Sequence, residues 1–228
     1  MNAILGVPYI KSRPMGMVAL VAGATGLVGQ SLVRQLAADS AWREVRALVR
    51  QGLLPDLALP NVVPISVDYA KLDPAPEWAG ADQVFCGLGT TMRQAGSREA
   101  FRRVDFEYPV ALARAAHAKG ARHFLLVSSL GATPTSRVFY SRVKGEVETA
   151  ISAIGFRSVT IARPSLLVGR REEPRLGEQM GMVLGVLAPR RWRPIPATQV
   201  ARALVEAARR DLPGVRILEN KELLATGG

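Results

Sequence analysis

The chain has 228 residues, with 30 Lys plus Arg against 19 Asp plus Glu for a formal net charge of +11. With 48% hydrophobic and 21% charged residues it can bury a full core, which excludes disorder as its main character and fits one sizeable α/β domain. A lone cysteine (Cys86), two histidines (His117 and His123) and arginines spread from Arg13 to Arg216 with no basic run longer than Arg190-Arg-Trp-Arg193 exclude a disulfide framework, a structural zinc site and a nucleic-acid-binding tail.

Met1 to Pro14 reads as an extension ahead of the first strand, and one domain is expected over residues 15–228. Met15 to Ala24 is apolar and follows Lys11 and Arg13, as in a signal peptide, but it runs straight into a glycine-rich turn that a folded domain needs. No run approaches the roughly 18 apolar residues of a spanning helix. A soluble, cytoplasmic protein is therefore expected, with no membrane contact and as a monomer or weak homo-oligomer. Short apolar runs at Met17–Ala22, Val45–Val49, Val62–Val67, Gln83–Cys86, Phe124–Val127, Val159–Ala162 and Val215–Leu218 predict seven strands. Helical spacing predicts helices over Leu27–Ala38, Glu99–Ala118, Val138–Ile154 and Thr198–Arg209, with Thr198 as an N-cap and Gly120 as a stop. The alternation is that of a doubly wound parallel sheet in a single α/β domain, with a variable segment from Arg170 to Pro196.

Val18 to Gly29 places Gly23, Gly26 and Gly29 directly after a strand and at the mouth of a helix beginning Leu27-Val28. The first glycine permits the tight turn, the second lets backbone approach a pyrophosphate, and the third lets helix pack on sheet. Gly23, Thr25, Gly26, Leu27, Val28 and Gly29 are accordingly expected to bind a dinucleotide, its anion meeting the positive end of the helix. Turns that prefer NAD carry an acidic residue about 20 positions on. This chain ends its second strand with Arg50 instead, which suits the 2′-phosphate of NADP. Asp68, closing the third strand, is placed either to accept from the adenine amino group or to cap a turn.

Gly23-Ala-Thr-Gly-Leu-Val-Gly29, Val84-Phe-Cys-Gly-Leu-Gly-Thr-Thr91, Phe124-Leu-Leu-Val-Ser-Ser-Leu-Gly131 and Tyr140-Ser-Arg-Val-Lys-Gly-Glu-Val-Glu148 resemble the atypical short-chain dehydrogenase/reductases. The similarity is to the group around Tat-interacting protein 30 and the neighbouring NmrA-like group, and it covers nearly the whole chain after Pro14. The resemblance implies a Rossmann-like fold, bound NADP(H) and a Ser/Tyr/Lys constellation. It leaves the substrate open, because these groups include proteins regarded as redox sensors or regulators that hold the cofactor without turnover.

Tyr140 and Lys144, four apart in a helical stretch, share one helix face. They follow a strand ending in Ser128-Ser129, and C-terminal strand ends are where open α/β sheets bind ligands. A tyrosine beside an ammonium can exchange a proton with a carbonyl oxygen as hydride moves, the lysine can also hold the nicotinamide ribose, and a serine hydroxyl can polarise the carbonyl. Successive strand residues face opposite ways, so one serine should point into the cleft; the reading leans to Ser128 and leaves Ser129 open. Gly87-Leu88-Gly89-Thr90 should lie along the cofactor, and Arg163-Pro164 should close the sixth strand beside the nicotinamide. Arg170, Arg171 and Arg175 gather charge beyond that strand end, near where a substrate must enter, with surface pairing to Glu172, Glu173 and Glu178 the slightly preferred reading. Cys86, His117, His123, Trp42, Trp78 and Trp192 read as core or surface residues without a chemical part. Two functions follow: an NADP(H)-dependent oxidoreductase acting on a small carbonyl, or a catalytically silent NADP(H)-binding sensor acting through a protein partner.

Overall fold

Ala19, Leu20, Val21 and Ala22 are fully enclosed although successive strand side chains point to opposite faces, so the strand they form is covered on both sides. In the computed structural model, which describes residues 16–50, 52, 55–168, 189 and 192–226, that strand lies near the centre of a parallel sheet. The strands are β1 (Met17–Ala22), β2 (Trp42–Val49), β3 (Val62–Ser66), β4 (Gln83–Cys86), β5 (His123–Val127), β6 (Ser158–Arg163), β7 (Leu167–Val168), β8 (Ile195–Pro196) and β9 (Gly214–Glu219). Seven of them form one sheet in the order β3-β2-β1-β4-β5-β6-β9, parallel throughout, while β7 and β8 pair separately. The chain reverses its direction of winding between β1 and β4, which opens a crevice at their carboxyl ends. All seven expected strands are present, and only the two-residue pair β7 and β8 had no sequence signal.

Two apolar layers sandwich the sheet. Helices α1 (Leu27–Ala37) and α6 (Ala197–Arg210) cover one face, where Leu32, Leu36, Val200 and Leu204 pack with Val21, Phe85 and Leu125. Helices α4 (Tyr108–Ala118) and α5 (Phe139–Ser152) cover the other, where Leu112, Ala116, Val147 and Ile151 pack with Leu20, Val84, Phe124 and Ile161. Gly120 ends α4 at φ +89°, as expected of a helix stop. Thr198 lies inside the first turn of α6, whose N-cap is Pro196 without a side-chain cap, so the expected cap is displaced by two residues. A short helix α7 (Asn220–Ala225) follows β9, held by a capping box in which the Glu222 carboxylate accepts from the Glu219 N–H at 2.9 Å.

The expected helix Glu99–Ala118 is broken. The chain instead forms α2 (Met92–Ala95), α3 (Arg98–Arg102), a wide π-type turn over Arg103–Glu107, and then α4. Pro109 has no N–H to give to the carbonyl of Asp105 four residues back, so a regular helix cannot run through this point and the turn opens. That opening places Asp105 in the interior with 1% of its surface exposed.

Candidate functional site

Because the sheet is parallel, the segments following its strands emerge at one edge: the glycine turn after β1, Arg50 after β2, Asp68 beyond β3, residues 87–90 after β4, Ser128-Ser129 after β5 and Pro164 after β6. Gly23 sits at φ +75°, and a Cβ there would stand 2.7 Å from the Gly87 carbonyl oxygen; at Gly29 a Cβ would stand 1.9 Å from the Gly23 carbonyl oxygen. Both positions therefore exclude any side chain, and the turn brings β1, the 87–90 loop and α1 into backbone contact. Gly26 donates its N–H to the Gly23 oxygen at 2.9 Å. The first-turn amides of α1, from Leu27 to Gly29, are those that a helix leaves without internal acceptors. Val28 buries its side chain in the core, so only its backbone can meet a ligand, and the Thr25 carbonyl accepts from Gln30 Nε2 at 2.9 Å. This cradle fits a pyrophosphate.

Arg50 is exposed and lies close enough to Tyr69 for its charge to be felt at that phenol. Tyr69 stacks on Tyr108 at 5.6 Å, and burial raises its pKa. Asp68 takes the turn alternative: its exposed carboxylate accepts from the Ala70 N–H at 3.1 Å and stands 3.5 Å from Lys71 Nζ.

The two serines separate cleanly. Ser128 is buried and its Oγ donates to Glu148 Oε1 at 2.5 Å, so the lean toward Ser128 as the hydroxyl that polarises a carbonyl is corrected: its one O–H donor is taken up under α5. Ser129 Oγ is buried and has no hydrogen-bond partner among the described residues. The Glu148 carboxylate also receives both Arg163 Nε, at 3.0 Å, and Arg163 Nη2, at 2.5 Å, while Arg163 Nη1 donates to Glu219 Oε1 at 3.0 Å. Glu148 raises the already high Arg163 pKa further, despite partial burial. Arg163 is thus a strut between α5 and β9, and its occupied side chain leaves only its backbone for the expected cofactor contact. Pro164 uses its carbonyl to accept from the Leu130 N–H at 2.8 Å, which holds the serine-bearing segment against the end of β6.

Tyr140 and Lys144 stand one turn apart on α5, as expected, with the Tyr140 ring tilted against Phe101 at 5.5 Å. The helix lies close on the loop before it, because a Cβ at Gly145 would stand 2.1 Å from the Thr133 carbonyl carbon. Lys144 is 5% exposed, and its Nζ stands 2.8 Å from Asp105 Oδ1. Burial pulls the Lys144 pKa down, but the Asp105 charge and, after it, the coupling to Tyr140 outweigh burial and raise the ammonium above its ordinary range. Asp105 Oδ2 accepts the Thr90 N–H at 2.9 Å, so that amide is engaged inside the protein. Asp105 is the residue that sequence reasoning missed. Its signal was an acidic residue four positions ahead of a proline within an otherwise helical stretch.

Cys86 is buried, and burial pushes its thiol up to about 11, consistent with a core role. His123 begins β5 at the opposite edge of the sheet, bonded to Thr160 Oγ1 at 2.9 Å, and His117 packs edge-on against Phe156. Arg170, Arg171 and Arg175 with their acidic neighbours lie outside the described residues, as does the extension Met1–Pro14. Among the described residues no helix is long and apolar enough to cross a membrane, and no group of His, Cys, Asp or Glu is arranged to hold a metal ion.

Comparison with known proteins agrees with this geometry. A model of the NAD(P)H-binding family matches residues 23–211. The rat protein HTATIP2 is 35% identical over 213 residues, covering 91% of this chain and 88% of its own. The mitochondrial protein FMP52 of Eremothecium gossypii is 35% identical over 218 residues, covering 92% and 96%. Among solved structures, the dTDP-glucose 4,6-dehydratase DesIV of Streptomyces venezuelae, determined with NAD and TYD bound, superposes with a TM-score of 0.70 over 92% of this chain and 79% of its own at 19% identity, a likeness of fold. FMP52 relatives from several fungi are named mitochondrial, and this overturns the cytoplasmic expectation, which rested on reading apolar Met15–Ala24 as part of the domain and on the lack of a spanning run, neither of which bears on organelle targeting. By the match over residues 23–211 and by its homology to HTATIP2 and FMP52, the chain belongs to the NAD(P)H-binding family of Rossmann-like proteins.

Proposed function

We propose that the protein is an NADP(H)-dependent oxidoreductase that reduces a small carbonyl-type substrate, or oxidises the corresponding alcohol. When bound, the nicotinamide supplies or accepts the hydride. The turn Gly23–Gly29 and the first amides of α1 hold the pyrophosphate, Arg50 meets the 2′-phosphate, and Gly87, Leu88 and Gly89 let the dinucleotide lie close to the backbone. Lys144 holds the ribose hydroxyls with its ammonium. Ser129 donates to the substrate carbonyl oxygen, and Tyr140 passes its proton to that oxygen as the carbon receives hydride, so that the carbonyl becomes an alcohol. The charge of Lys144 steadies the phenolate left behind until solvent restores the proton. In the opposite direction Tyr140 takes the proton back.

The observation that carries this reading is the buried Ser129 hydroxyl with no hydrogen-bond partner among the described residues. Leaving such a group unsatisfied costs about 1–3 kcal/mol, and a substrate oxygen would relieve that cost. NADPH oxidation across a panel of aldehydes, ketones and quinones, with cofactor binding measured alongside, tests the assignment. Tyr140→Phe keeps the ring against Phe101 but removes the proton, so turnover should fall by about 10² or more while NADPH affinity changes little. Turnover that survives in this variant would defeat the mechanism.

A second reading is a silent NADP(H)-binding sensor, supported by the buried Lys144–Asp105 pair, which would serve the cofactor without any substrate. Binding of NADPH without turnover on any substrate would select it.

A further inference from the structure

The wide turn Arg103–Glu107 puts a carboxylate where none is expected, inside the protein and against the lysine of the proposed site. An enclosed carboxylate or ammonium standing alone tends to surrender its charge, whereas a paired one keeps it. Asp105 has 1% of its surface exposed and Lys144 has 5%, and the two meet at 2.8 Å. The other oxygen of Asp105 accepts the Thr90 N–H at 2.9 Å. A Cβ at Gly89 would stand 3.4 Å from Asp105 Oδ1 and 3.6 Å from Lys144 Nζ, so the pair lies directly against the backbone of the loop after β4. Two other titratable groups face Lys144: Tyr140 from its own helix and Cys86 from β4. The Cys86 thiol is uncharged, so among the described residues Asp105 is the one carboxylate against the ammonium.

We propose that Asp105 is a positioning residue that serves as the fixed counter-ion of Lys144, keeping the buried lysine charged and, through Thr90, tying that charge to the loop along which the dinucleotide lies. The proposal rests on the dinucleotide-binding reading of the site and needs no turnover. Burial by itself would favour a neutral amine at Lys144, and an amine that has lost its proton no longer offers three donors and a charge to ribose hydroxyls and phenolate. The opened helix thereby acquires a purpose, since a regular helix through Arg103–Glu107 would change where the Asp105 side chain is presented.

The charge on Lys144 can be read directly. The chain has five lysines, Lys11, Lys71, Lys119, Lys144 and Lys221, so protein labelled at lysine Nζ and Cε gives few signals, and Lys144→Arg identifies the one in question. In the wild type that signal should stay at its ammonium position through about pH 10. In Asp105→Asn it should move to the neutral-amine position at least about one pH unit lower, while Asp105→Glu should keep the ammonium. NADPH affinity of Asp105→Asn should fall roughly tenfold as pH rises through the same transition. A Lys144 signal that titrates identically in wild type and Asp105→Asn would overturn the proposal. If Asp105→Asn does not fold, Asp105→Asn with Lys144→Met supplies the test: recovery of the fold shows that the uncompensated ammonium caused the failure, and no recovery overturns the counter-ion role. Because the lysine signal needs no substrate, lack of reductase activity would defeat the proposed reaction and leave this result standing.

Discussion

Arg50→Ala is the most direct probe of cofactor choice. The guanidinium is exposed at the end of β2, so its contact with a 2′-phosphate would be partly screened by water. Two unit charges about 4 Å apart interact by about 1 kcal/mol in bulk water and about 4 kcal/mol in the less polarisable setting of a protein surface. A phosphate carries more than one charge, but an exposed arginine also loses side-chain freedom when it docks. Removing it should cost about 1–2 kcal/mol, or roughly five- to thirtyfold in NADPH affinity, and leave NADH affinity unchanged. Titration calorimetry with both cofactors at two salt concentrations measures this, and the wild-type preference for NADPH should shrink at the higher salt as the phosphate contact is screened. Equal losses for the two cofactors would show that Arg50 supports the fold of the site without reading the phosphate. A wild type with equal affinities would remove the NADP assignment altogether.

The serines give a paired test: Ser129→Ala should lower turnover by about 10- to 100-fold with little change in melting temperature, whereas Ser128→Ala should spare turnover and cost about 1–2 kcal/mol by removing a donor from buried Glu148. The reverse pattern would return the catalytic role to Ser128. His123 gives a test of stability: burial, outweighing the nearby Asp211 charge, lowers its pKa from 6.5 to about 4. The folded form then binds fewer protons than the unfolded form, so this stabilisation is full above about pH 6.5 and is lost as pH falls toward 4, about 2 kcal/mol having gone by pH 5. Urea melts at pH 7.5 and 5 should show this drop in wild type and a smaller one in His123→Gln; identical pH dependence in both would disprove it.

The sheet was legible in the sequence because enclosed parallel strands are short apolar runs, and their alternation with amphipathic stretches follows from covering both faces. The break in the long helix was not, because periodicity places apolar residues on the same face whether or not the backbone opens by one residue per turn. Arg98 to Ala118 keeps a buried stripe through Phe101, Asp105, Val110, Leu112 and Ala116. Only Asp105 interrupts that stripe with a charge, and Pro109 marks where the bonding pattern must change. Neither signal alone departs from an ordinary helix, and their conjunction becomes informative once Lys144 is seen opposite. The short helix α7 was lost for another reason: six residues carry too little periodicity, although Glu219 and Glu222 have the spacing of a capping box.

At the candidate site, the sequence offered two candidates for some roles, and the bonds already made distinguish them. Arg163 meets two carboxylates, and Arg46, Arg157 and Arg209 are likewise engaged by carbonyl or carboxylate groups, so several arginines of this arginine-rich chain brace the fold. Arg50 makes no hydrogen bond or ion pair among the described residues, and its position after β2 leaves its five donors for a ligand. The same contrast separates Ser129 from Ser128. An aligned string of letters cannot register it, because Glu148, Arg163 and Glu219, which occupy the structural partners, reach them from three different elements. Lys144 is the instructive exception, since it is both engaged and assigned to the cofactor. An ammonium carries three donors, so with Asp105 on one side the remainder would serve the proposed ribose contact. Bonding capacity not spent inside the protein thus marks Arg50, Ser129 and Lys144 as the residues on which the proposed site depends.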